Sequence, residues 1–63
     1  MMPEKHRGQE IVYRNERRSA FVTYNRWSMG QKYAVYAERG GIKSYCTSFD
    51  SIIEATRYCN MIY

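Results

Sequence analysis

Residues Gln31 to Asn60, QKYAVYAERGGIKSYCTSFDSIIEATRYCN, decide the fold. Side chains alternate along an extended backbone, so Tyr33, Val35 and Ala37 fall on one side of a strand and Ala34, Tyr36 and Glu38 on the other. Gly40-Gly41 then supplies the positive-φ residues that a two-residue hairpin turn requires, and a second strand follows. A tight corner at Phe49-Asp50 leads into a helix. Ser51 with Glu54 three residues later fits a capping box, and Ile52, Ala55, Thr56, Cys59 and Ile62 recur at the spacing of one helical face. A hairpin followed by such a helix packs the helix on one sheet face, which leaves the other free for function.

Upstream of this stretch, Ser19 to Trp27, SAFVTYNRW, reads as another strand. Phe21, Thr23, Asn25 and Trp27 share one of its faces; Val22, Tyr24 and Arg26 share the other. Ser28 to Gln31 reads as a turn, with Gly30 available for a left-handed residue. Glu10 to Arg14, EIVYR, is β-branched and aromatic enough for a short strand, joined to the next by the polar loop Asn15 to Arg18. Residues 1–9 have no periodicity and read as a disordered tail. The expectation is an α+β fold: a three-stranded antiparallel sheet, or four-stranded if Glu10 to Arg14 pairs as well, with one C-terminal helix packed on one face. Residues 10–63 form a single small domain.

Sixty-three residues allow one domain with a thin core. The start, MMPEKHRGQE, has no apolar run and reads as neither signal peptide nor anchor, and no later stretch is long and apolar enough to span a bilayer. The expected setting is soluble and cytoplasmic, without membrane attachment. Ten Lys and Arg against six acids give a formal charge of +4, which draws a small domain toward polyanions.

Catalytic chemistry is hard to place. His6, the lone histidine, lies in the expected tail and reads as a bystander. Asp50 and Glu54 are explained by the helix start, where negative charge is favoured. Cys46 and Cys59 fall on inward-facing positions as reduced thiols, near each other but without a readable base. No metal-ligand set or phosphate loop is present, so neither cofactor nor enzymatic activity is expected.

The stretch FVTYNRWSMGQKYAVYAERGGIKSYCTSFDSIIEATRYCN resembles in layout the Apetala-type, ethylene-response-factor DNA-binding domain and its phage and bacterial relatives. Those relatives are attached to HNH endonucleases or form the arm-binding N-terminal domains of tyrosine recombinases. The marks of the resemblance are Trp27 before a turn, the step Gly30-Gln31-Lys32-Tyr33, and Phe49-Asp50-Ser51 followed by Glu54-Ala55-Thr56-Arg57-Tyr58. They cover about two thirds of the chain. The resemblance implies that the outer sheet face meets the DNA major groove, through Thr23, Asn25, Trp27, Tyr36, Glu38, Lys43 and Tyr45. Thr23 and Asn25 stand where that family places arginines, which removes bidentate readers of guanine.

The residues read by themselves give an overlapping surface. Asn25 has the chemistry to read adenine, Lys43 a guanine or phosphate, and Trp27, Tyr36 and Tyr45 to stack. Arg14, Arg17, Arg18 and Arg26 lie where they would hold backbone phosphates. The expected role is a small accessory or regulatory protein that binds duplex DNA, as monomer or homodimer. An alternative fits the same face: a phage- or plasmid-encoded factor that inhibits or redirects a host protein, because exposed Trp, Tyr and Arg also make protein hot spots. The aromatics equally serve as cross-strand pairs that stiffen a sheet with little aliphatic core.

Overall fold

A computed structural model of the chain describes residues 4–62. The first three residues of the expected tail and Tyr63 lie outside that range. The elements are β1 (Lys5–His6), β2 (Gln9–Asn15), a 3-10 turn (Glu16–Arg18), β3 (Ala20–Tyr24), β4 (Tyr33–Arg39), β5 (Ile42–Phe49) and α1 (Ile52–Met61). The five strands form one antiparallel sheet in sequence order. The fold is therefore α+β as expected, with more strands than the three or four read from the sequence. Glu10 to Arg14 lies within a true strand. Lys5 and His6, placed in the tail by the sequence reading, add another.

Two turns set the hairpins. Gly40 and Gly41 adopt φ of 59° and 83°, the doubly left-handed turn whose twist matches the flanking strands. Arg7 and Gly8 do the same at 54° and 77° between β1 and β2. The third connection differs from expectation. β3 ends at Tyr24, and residues 25–32 form a longer loop in which Gly30 is not left-handed.

The helix starts at Ser51, whose hydroxyl accepts from the Ile53 amide at 3.1 Å. This satisfies one of the free amides at the helix start; the reciprocal bond from Glu54 is not formed. Ala55 and Cys59 are buried against Ala20, Val22 and Val35, and Tyr13, Tyr33, Phe49, Ile52 and Ile62 close the rim. The apolar stripe read from the sequence is the face that packs. Asn60 Oδ1 accepts from Tyr13 Oη at 2.8 Å and Asn15 Nδ2 at 2.7 Å, which ties the helix to β2. At the helix end, Arg18 Nη1 donates to the Ile62 carbonyl at 2.8 Å, where a cation meets the negative end of the dipole.

The register slips between Ile11 and Tyr13 on β2 and between Val35 and Tyr36 on β4. The extra residues are Val12 and Cys46. Bulges bend a strand and increase its twist, and the sheet curls accordingly. The curl is visible in His6: β1 stands three places from β4 in the sheet, yet the imidazole lies 4.7 Å from the Tyr36 ring.

Candidate functional site

The face opposite the helix is not free. His6 meets Phe21 and Tyr36 edge-on at 5.4 and 4.7 Å, Phe21 and Tyr36 stack at 5.3 Å, and Tyr45 closes on Tyr36 at 5.8 Å. Arg14 lies 5.6 Å above the Phe21 ring and forms a 3.0 Å ion pair with Glu4. The result is a second, aromatic core under the N-terminal hairpin. It buries Phe21, Thr23 and Tyr36. Thr23 and Tyr36, expected to face DNA, are thus withdrawn from solvent: Tyr36 is a packing element, and Thr23 is sealed at 0 % exposure with its hydroxyl donating to Gln9 Oε1 at 3.2 Å.

His6 lies on β1 and not in a tail, and its ring packs at the centre of this arrangement. Its Nε2 is shielded from solvent and has no hydrogen-bond partner. Burial lowers its pKa from the usual 6.5, and the positive charges of Lys43 and Arg7 lower it further. The imidazole packs as a neutral ring.

The remaining residues of the expected site divide into three places. Arg17 and Arg18 stand on the 3-10 turn, with Arg18 engaged at the helix end. Lys43 and Tyr45 are exposed on β5, Lys43 opposite Glu38 in the ladder. Asn25, Arg26 and Trp27 fall in the loop after β3, beyond the strand assigned to them.

That loop is built, not slack. The Asn25 amide donates to the Lys32 carbonyl at 2.8 Å, and Asn25 Oδ1 accepts from the Trp27 amide at 3.1 Å. This is the local side-chain turn that asparagine favours. The bond engages the acceptor atom that reading adenine would need. Asn25 therefore positions Trp27, whose indole is 84 % exposed. Asn25, Arg26 and Trp27 line an open cleft of about 230 Å³ together with Lys5, Gly8, Gln9, Glu10 and Tyr24. Two cations and an indole thus meet one acid around a single concavity.

Lys5 was missed because nothing apolar marks β1. The signal that would have found it is Arg7-Gly8, a glycine-bearing pair between two short extended runs.

The thiols stand apart from this cleft. Cys59 is buried and Cys46 half-buried, both free. Burial pushes the Cys59 thiol above its ordinary value, which keeps it protonated and poorly nucleophilic at neutral pH. No helix among the described residues is long and apolar enough to cross a membrane.

Comparison with protein-family models, curated proteins and solved structures finds no match to this chain.

Proposed function

We propose that the protein is a small accessory or regulatory factor that binds duplex DNA, with the contact centred on the loop 25–32 instead of the middle of the sheet. The observation that carries this reading is Trp27, held 84 % exposed beside Arg26 and Lys5 at one cleft. A tryptophan left in water forgoes the stabilisation that burial would give it. A binding role accounts for its position. The cations neutralise phosphates and release condensed counterions, and the indole packs on sugar, thymine methyl or an unstacked base. The surplus of positive charge steers the chain toward the duplex.

The test is fluorescence anisotropy of a labelled random-sequence duplex at about 50 and 200 mM salt. Contacts from Lys5, Arg7, Arg26 and Lys32 would make four phosphates, and a slope near −0.9 per phosphate then gives roughly a 150-fold loss of affinity over that range. Salt-independent binding, or none at the lower salt, refutes the proposal.

One observation favours a second reading. Met29 is fully exposed two residues from Trp27, and Trp, Met and Arg together are the composition of a protein-binding hot spot. Capture of a host protein that is lost on Trp27→Ala, with no DNA binding, would establish that reading in place of the first.

A further inference from the structure

We infer, on the basis of the DNA-binding reading above, that the cleft beside Trp27 takes a single unpaired nucleotide, with its base against the indole and its phosphates on the flanking cations. The preferred target is then a duplex interrupted by an unpaired base, ahead of a continuous one.

The ladder register sets the layout of the cleft. Lys5 stands opposite Glu10, and Glu10 opposite Tyr24. Directly opposite residues share one face of a sheet, so a cation, a carboxylate and a phenol form a row across β1, β2 and β3. Tyr33 backs the end of this row from β4, its ring 5.2 Å from that of Tyr24. After Tyr24 the chain leaves the sheet, and the Asn25 bond to the Trp27 amide turns Arg26 and Trp27 into the remaining lining. Glu10 on β2 therefore stands between Lys5 on β1 and the loop that carries Arg26.

Size and charge point to the same occupant. Sites for drug-sized molecules run to about 300–1,000 Å³, whereas this cleft of about 230 Å³ has room for one ring system. A phosphate backbone running from Lys5 to Arg26 would pass over Glu10, where like charge repels it. A nucleotide turned into the cleft avoids that conflict. Its phosphates meet the cations, and its base lies over the carboxylate, which accepts from an amino group such as cytosine N4. Glu10 forms no ion pair among the described residues, so its oxygens are open to such a donor. Trp27, 84 % exposed, adds a stacking surface that any base can use. In a continuous duplex the faces of a base are covered by its neighbours, and only an unpaired base offers them.

Anisotropy titrations of three labelled probes test this: a continuous duplex, the same duplex with one bulged cytosine, and the same with one bulged thymine. The bulged cytosine should bind about fivefold tighter than the continuous duplex or better, and Trp27→Ala should remove the difference. Trp27 is the sole tryptophan, so intrinsic fluorescence reads this cleft alone. The bulged probes should quench it more deeply than the continuous duplex. Cytosine should be preferred to thymine, which has no amino group, and Glu10→Ala should erase that preference. Equal affinity for bulged and continuous duplexes, or a bulge preference that persists in Trp27→Ala, overturns the inference and leaves the duplex reading standing. Equal tightening of all three probes by Glu10→Ala overturns it too, since the carboxylate would then only repel phosphate. Binding to none of the probes removes the duplex reading as well.

Discussion

Replacing Trp27 with alanine separates binding from stability more sharply than any other change. Trp27 is 84 % exposed, so roughly a sixth of its surface is covered. Full burial of a large apolar side chain is worth about 3 kcal/mol, and the covered part therefore contributes on the order of 0.5 kcal/mol. Spread over an unfolding entropy of about 2.1 cal/mol/K per residue, that loss lowers the thermal midpoint by roughly 4 °C. The Asn25 bond to the loop goes to the backbone amide of residue 27 and survives the substitution. Binding should respond differently: loss of one aromatic platform costs about 1–3 kcal/mol, or a 5- to 150-fold weaker complex. The assay is anisotropy with a labelled duplex, paired with thermal melting followed by circular dichroism. A melting drop well beyond a few degrees would mean that the indole is a packing element. Unchanged affinity in a well-folded variant would remove the loop from the binding surface.

Other outcomes follow from the two cores. The unfolded chain takes up a proton on His6 near pH 6.5, whereas the folded protein does so only at lower pH. Below pH 6.5 the unfolded state therefore binds more protons, and stability, complete above that value, falls as pH drops through the folded-state pKa. Urea midpoints measured from pH 8 to 5 should show this fall, and His6→Phe should flatten it; an unchanged slope in that variant would place the titration elsewhere. Ala55 is fully buried, so Ala55→Asp should leave an uncompensated charge costing several kcal/mol. A domain this size is stable by about 3–9 kcal/mol, and near-complete loss of the folded circular dichroism signal is expected. Ser19 holds φ of 52° with its hydroxyl side exposed. Ser19→Gly should relieve left-handed strain and raise stability by up to about 1 kcal/mol, read as a higher urea midpoint; a lower midpoint would mean that the strain is negligible.

The elements with strong local signals were legible in the sequence. The glycine turn, both strands of its hairpin, the Ser51 cap and the helix stripe Ile52, Ala55, Thr56, Cys59 and Ile62 all appear where the spacing puts them, because each is specified by residues close in the chain. The alternation along β4 was also read correctly, and Tyr36, which the resemblance puts on the outer face, lies away from the helix against Phe21. What that face contacts was not readable. Its closure depends on the curl produced at Val12 and Cys46, and an alternating pattern carries no information on bulges. The closing element, Lys5–His6, is two polar residues long, and its turn uses Arg7 at a positive φ where glycine or asparagine is the usual marker. Asn25 shows a related limit. Its type favours both strand ends and side-chain turns, and only the 3.1 Å bond to the Trp27 amide decides that it ends β3 and turns the loop.

The order β1 to β5 in the sheet is also the order in the chain, and this governs how the molecule assembles. Every ladder closes over a short connection, so little loop entropy has to be overcome before a contact forms. Pairing only between strands adjacent in the chain keeps the sequence separation of the ladder contacts small, and small separation goes with rapid folding. The two-residue turn at Gly40-Gly41 makes the β4–β5 hairpin one of the pairings with the least loop entropy to overcome. The joining of Asn60 to Tyr13 and Asn15 spans nearly the whole chain. A closure of that length carries the largest loop entropy, so substitutions at Asn60 are expected to accelerate unfolding while leaving the refolding rate nearly untouched.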